Sequence, residues 1–237
     1  MRRQLLDPLL LIATVDAVED LAPRWRRIML SGDSIRAISW QPGQHVRVQV
    51  GDHGNALDWL IGTLRTYTVS EYDGEYLHLA VFDHGDGPGA KWARTAQIGD
   101  PIKLTKPDGR FLLKSSPYYV FVGEETASVA FAAMLKTLSG DSQIFGVVEV
   151  DTEAERFPLI TEELTWSYRH GRDGASSATV VADVEHLQLP KQPGLAYVAG
   201  EAKTVQMVRT HFVRDRGWPR HHILTKPYWT PGRTGMD

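Results

Sequence analysis

Up to about residue 110, apolar residues recur at every second position or in runs of four to eight. LLIATVDAVEDLAP, RWRRIMLSG, HVRVQVGD, RTYTVSEY, EYLHLAVFDHG and DPIKLTKPDG all read this way. Side chains alternate across a strand, so this pattern predicts half-buried β-strands. Turn signals separate them at Ser31-Gly32-Asp33, Gly51-Asp52-His53-Gly54, Asp73-Gly74 and Pro107-Asp108-Gly109. Short strands at that spacing predict an antiparallel barrel. One helix is expected among them, over GPGAKWARTAQIG, where glycines lead into a run of helix formers.

Beyond residue 117 the period changes. YYVFVG reads as a buried strand ending in glycine, and ETASVAFAAMLKTL has apolar residues at helical spacing. QIFGVVEV reads as another buried strand, and TWSYRHG and ATVVADV are expected to be strands too. LAYVAGEAKTVQMVRTHFVRDRG repeats strand, glycine, helix, and HHILTKPYW closes with a strand. Strands alternating with helices predict a parallel sheet covered on both faces. The expected organisation is a β-barrel over residues 1–115 and a nucleotide-binding-like α/β domain over 116–237, with the boundary in Lys114-Ser115-Ser116-Pro117. That order suggests a flavin–nicotinamide reductase.

Composition narrows the chemistry. With 237 residues, 42% of them hydrophobic, the chain can bury one large core or two of ordinary domain size. A net charge of −3 does not argue for nucleic acid. There is no cysteine, so thiolate metal sites, disulfides and cysteine nucleophiles are excluded. Electron chemistry would then need a bound organic cofactor or oxygen and nitrogen ligands. No permanent metal site is expected: His221-His222 would point to opposite faces of a strand, and no HExxH spacing occurs. Arg2 and Arg3 before LLDPLLLIA have the look of a signal peptide, but Asp7 and Pro8 interrupt the apolar run. No run reaches the roughly 20 apolar residues of a membrane helix, so a soluble cytoplasmic protein is expected.

Two stretches carry candidate chemistry. In Arg65-Thr66-Tyr67-Thr68, positions 65 and 67 share a strand face. A guanidinium grips phosphate through paired hydrogen bonds, and a tyrosine ring offers a plane for a flat cofactor. An arginine extending from a strand beside a half-buried tyrosine is the plainer alternative. About twenty residues on, Gly85, Gly87 and Gly89 lead into a helix whose amides and dipole form an anion site. Trp92 could stack on a ring, and Asp83 and His84 stand just ahead. A plain glycine-rich connection is the alternative here.

PGQHVRVQV, RTYT, HGDGPGAKWA, VGEETASVAFAAMLKTL, VVEVDTEAER, TWSYRHG, YVAGEAKTVQMVRTHFVRDRGW and PYWTPG, in chain order, resemble the siderophore-interacting protein family. That family includes FAD-dependent ferric-siderophore reductases within the ferredoxin-reductase-like superfamily. The resemblance implies that Arg65, Thr66, Tyr67 and Thr68 hold FAD, with Arg65 at phosphate and Tyr67 against the isoalloxazine. It places His45 near the flavin, and Asp83, His84, Gly87, Pro88, Trp92 and Ala93 at the diphosphate and adenosine side. Gly123, Glu124, Thr126 and Ala127 would line a nicotinamide cleft, with Gly200, Glu201 and Ala202 opposite. Tyr228 and Trp229 match a closing aromatic pair. The family often reads GDETA where this chain has GEETA, and the eight residues after Trp229 leave no room for a long C-terminal helix.

The implied activity takes electrons from NADH or NADPH, or from ferredoxin, through FAD to a ferric siderophore. A general flavin reductase, or a siderophore-binding module without turnover, is the alternative. Glu149 and Asp151 could accept ribose hydroxyls, while Arg169, Arg172 and Lys203 could receive a 2′-phosphate. For an anionic ferric chelate, Lys203, Arg209 and Arg169 are the foremost candidate cations, with Arg172, Lys226 and Arg233 behind them.

Overall fold

The computed structural model describes residues 10–50, 64–158 and 163–233. The Gly51–Gly54 turn and the start of the chain lie outside them. The chain divides into two compact units, Met1–Leu112 and Leu113–Asp237.

The first unit is built on strands β1 (Leu11–Ala22), β2 (Trp25–Ser31), β3 (His45–Gln49), β4 (Leu64–Tyr72), β5 (Leu77–Phe82) and β6 (Pro101–Leu104). They close into a barrel in the order β1-β2-β5-β4-β3-β6, each pair antiparallel. Alternate residues point inward and form one core, including Val15, Ile28, Leu30, Val46, Val48, Val69, Leu79 and Leu104. Closure removes the sheet edges that would otherwise be exposed. Among the described residues two helices join the strands: the short α1 (Asp33–Arg36), which the sequence pattern did not suggest, and α2 (Pro88–Thr95). Ala90 and Ala93 of α2 are buried, and Ala93 packs into the barrel core.

The second unit holds β7 (Tyr118–Glu124), α3 (Ser128–Leu135), β8 (Gln143–Val150), β9 (Thr165–Tyr168), α4 (Ala178–Glu185), β10 (Leu195–Glu201), α5 (Ala202–Arg214) and β11 (Ile223–Trp229). The strands form a wholly parallel sheet in the order β11-β10-β7-β8-β9. β7 and β10, at its centre, are buried along their whole length, as expected for a sheet with both faces covered. On one face Val180 and Val184 of α4 and Val205, Val208 and Phe212 of α5 share a core with Val120, Val122, Val147 and Val198. Phe121 meets Phe131 of α3 at 5.2 Å between ring centres.

Two expectations are overturned. ATVVADV is not a strand but the body of helix α4. Its β-branched residues favour strands only weakly, and context overrides that preference. Ser177 caps the helix by accepting from the Val180 amide at 3.2 Å, and Val180 and Val184, one turn apart, face the core. His221 and His222 are likewise not in a strand: they form a single 3-10 turn before β11, with His222 Nδ1 2.7 Å from the Gly194 carbonyl.

Candidate functional site

In the barrel, β4 brings Arg65 and Tyr67 against the start of α2. A Cβ on Gly89 would lie 2.4 Å from the Tyr67 hydroxyl and 3.4 Å from Arg65 Cγ. The two stretches singled out in the sequence therefore meet, and only glycine at 89 allows so close an approach. The rings of Tyr67 and Trp92 pack at 5.4 Å. Burial raises the Tyr67 hydroxyl far above its ordinary pKa, slightly offset by the Arg65 guanidinium, so it stays neutral. The Trp92 Nε1 is buried without a hydrogen-bond partner among the described residues. An orphaned indole N–H of this kind calls for an acceptor.

The start of α2 suits an anion. Its N-cap, Gly87, supplies no side-chain acceptor, Pro88 stands at the first helical position, and no acidic residue lies in the first turn. The first-turn amides and the positive end of the helix dipole are left without a side-chain cap. The loop before it is held by Arg94. Its guanidinium donates to Asp83 Oδ1 at 2.6 Å, to the Gly85 carbonyl at 3.0 Å and to Asp86 at 3.4 Å. Asp83 thus anchors the loop through Arg94, a role that no local signal in the sequence announced. His84 is exposed and stacks on Phe82 at 6.4 Å. His45 pairs across the ladder with Thr68. Its backbone exchanges 2.9 Å hydrogen bonds with Asp108. These residues fit a flavin dinucleotide: an aromatic floor, an unpartnered indole donor, and a cation beside an uncapped helix terminus.

In the α/β unit the marked residues gather at the carboxyl ends of the strands, where ligands bind in open α/β sheets. Glu124, 3% exposed, ends β7. Its carboxylate accepts from the Thr126 amide at 2.8 Å, from the Thr126 hydroxyl, and from Trp229 Nε1 at 3.0 Å. Gly200, at φ +125, leaves the space: a Cβ there would lie 2.5 Å from Glu124 Oε1. Burial first, and the adjacent Glu125 second, push the Glu124 carboxyl up to about 7. Glu201 ends β10 and caps α5. It accepts from the amides of Lys203 and Thr204, both at 2.8 Å, and of Ser176 at 3.0 Å. Burial raises its pKa, but these amides outweigh burial and leave it below the ordinary value.

Several expected ligand contacts are already taken by the protein itself. Glu149, 1% exposed, accepts from Ser177 at 2.6 Å and lies 3.4 Å from Arg169. Asp151 accepts from the Gly171 amide at 2.5 Å. Arg172 donates to the carbonyls of Arg169 and Tyr168.

The three foremost candidate cations differ in exposure. Arg169 is 8% exposed and is gripped by both oxygens of Glu125, at 2.5 and 2.6 Å. Its charge is met within the protein, by Glu125 and Glu149. Lys203 and Arg209 are exposed on α5, and six residues apart they point roughly 120° from each other around the axis. Lys203 also borders a shallow groove shared with Glu185 and Asp215, which are acidic. Among the described residues, no group of three or more side chains is placed to hold a metal ion.

Comparison with known proteins accounts for both units. Residues 14–111 match the siderophore-interacting FAD-binding domain, and residues 116–232 match the siderophore-interacting protein family. The ferric vibriobactin reductase of Vibrio cholerae is 28% identical over 179 residues, covering 71% of this chain and 65% of the relative. The chain therefore spans slightly less than two thirds of that protein. The crystal structure of a siderophore utilization protein from T. fusca superposes with a TM-score of 0.82 at 25% identity, covering 96% of this chain and 95% of that one. The siderophore-interacting protein from Aeromonas hydrophila superposes with a TM-score of 0.83 at 23% identity, over 95% and 93% of the two chains. With a closed barrel that fits a flavin, a parallel-sheet unit behind it in the chain, and a family match to each, the protein belongs to the siderophore-interacting protein family.

Proposed function

We propose that this chain is an FAD-dependent ferric-siderophore reductase, working in the cytoplasm on electrons from a reduced nicotinamide. The observation that carries the reading is the meeting of Arg65, Tyr67 and Trp92 with the uncapped start of α2. Bound FAD would supply the chemistry, accepting a hydride and returning its two electrons singly to two chelated ferric ions. Arg65 and the first-turn amides of α2 would hold the diphosphate, as a guanidinium and a helix terminus do. Tyr67 and Trp92 would form an apolar floor and keep water from one side of the ring system, and the Trp92 N–H would gain the acceptor it lacks. Arg94, by fixing the 83–86 loop, would hold the cradle in shape. No general acid or base is required, because outer-sphere electron transfer breaks no covalent bond at iron. The ferrous product binds its chelator far less tightly and is released.

Anaerobic stopped-flow reduction tests this reading. The FAD-loaded protein should bleach with NADH or NADPH, recolour on a ferric siderophore, and yield two ferrous ions per nicotinamide oxidised. Recolouring by oxygen or ferricyanide but by no ferric siderophore would favour the second reading, a general flavin reductase. The burial of Arg169 in an ion pair with Glu125 lends that alternative its support. Failure to retain flavin would end both.

A further inference from the structure

Anion recognition by a parallel sheet depends on unclaimed amides at the helix starts beyond its strands. In this α/β unit the turn after β7 and the starts of α4 and α5 each have amides claimed by the chain's own side chains, while α3, which continues directly from that turn, has no side-chain cap of its own. After β7, Glu124 takes the Thr126 amide. At α5, Glu201 takes the amides of Lys203 and Thr204 and reaches across to Ser176. At α4, the Ser177 hydroxyl takes the Val180 amide and donates its own proton to Glu149. The Ser177 amide is itself taken, by Thr204 at 2.9 Å. Four buried carboxylates, Glu124, Glu125, Glu149 and Glu201, thus stand at one sheet edge. The buried cation among them, Arg169, is held by Glu125 and Glu149.

The barrel provides the contrast within the same chain. Helix α2 has no side-chain cap, no first-turn acid and an arginine against its start. The start of α2 thus has an arginine and no carboxylate against it, whereas the turn after β7 and the starts of α4 and α5 carry carboxylate or hydroxyl oxygen on their amides. A pyrophosphate at the sheet edge would have to displace buried charge-assisted hydrogen bonds, and would meet the remaining carboxylates at short range in a medium of low dielectric.

We infer that the sheet edge of the α/β unit is closed to dinucleotide pyrophosphate, with Glu124, Glu149 and Glu201 as the specificity-determining residues that close it. A reduced nicotinamide is then admitted for its reacting ring, and its phosphates add nothing to its affinity. This inference rests on the proposed reductase reading for its donor.

Calorimetry with ADP-ribose, which carries the pyrophosphate and lacks the nicotinamide, tests it on the FAD-loaded protein. No saturable binding is expected up to about 1 mM; a Kd below about 100 μM overturns the inference. In stopped flow, NADH, NADPH and reduced nicotinamide mononucleotide should bleach the flavin with second-order rate constants within about threefold of one another; a preference of more than about tenfold for the dinucleotides overturns it. Glu201→Ala, which unplugs the start of α5, should gain measurable ADP-ribose binding. A folded variant that gains none removes Glu201 from the assignment. If the variant does not fold, the wild-type measurements decide. Bound flavin that no nicotinamide bleaches would defeat the reductase reading, while ADP-ribose binding would still decide the inference separately.

Discussion

At the scale of single side chains, Glu124 is a carboxyl that changes charge near neutrality. Its carboxyl moves from an ordinary 4.5 up to about 7 because burial, and then Glu125, penalise the ionised form. Between those values the folded chain keeps a proton that the unfolded chain has released. This contribution to stability is therefore greatest at the acid end and falls as the pH rises from 4.5 towards 7. Thermal unfolding across that window should show a declining Tm, and Glu124→Gln should flatten the slope. A slope unchanged in the variant would show that other groups cause it. Glu149 is raised by burial as well and adds a slope of the same sign, so the flattening should be partial. In the barrel, Gly89→Ala would place a methyl 2.4 Å from the Tyr67 hydroxyl. Alanine is the better helix former by about 1 kcal/mol, so α2 should survive while Tyr67 is displaced. We expect FAD to bind at least about tenfold more weakly with the far-ultraviolet circular dichroism unchanged, and equal FAD affinity would count against the aromatic floor.

Among the elements, most strands and helices follow from the spacing of apolar residues. The change of period near residue 117 separates a closed antiparallel barrel from a parallel sheet, as expected. Helix α4 shows where that reasoning fails. Thr179, Val180, Val181 and Val184 favour a strand, yet Ser177 starts a helix and the sheet beneath receives Val180 and Val184. The cap was present in the sequence, but a serine before valines is a weak signal until the helix has a surface to cover. Ser177→Ala removes that cap and also a hydrogen-bond donor to buried Glu149. The expected loss is about 1–3 kcal/mol of unfolding free energy, measured by urea titration. A loss near zero would mean that packing alone holds α4. Short α1 went unseen because four residues carry too little periodicity to register.

For the whole molecule, ligand linkage gives a test that needs no turnover. FAD at about a hundredfold over its Kd should stabilise the folded chain by about 2.7 kcal/mol, raising Tm in a concentration-dependent way. ADP-ribose at the same excess over that Kd should leave the Tm of the FAD-loaded protein unchanged, and a rise would point to a second phosphate site. A barrel and a parallel sheet could be read from residue spacing, and short motifs singled out the two stretches, around Arg65 and Gly89, that meet in the barrel. These depend on local periodicity, on turn chemistry, and on glycines placed before a helix. The fates of the charges could not be read that way. Arg169 looked like a docking cation and proved to be a buried partner of Glu125. Glu149 and Asp151 looked like ribose acceptors and proved to hold Ser177 and Gly171. Whether a charge meets solvent, a ligand or an opposite charge depends on residues distant in the chain, such as Glu125 and Arg169, 44 positions apart, or Glu124 and Trp229, 105 apart. Only chain folding brings such partners within hydrogen-bonding reach, because the pairing has no periodicity along the sequence.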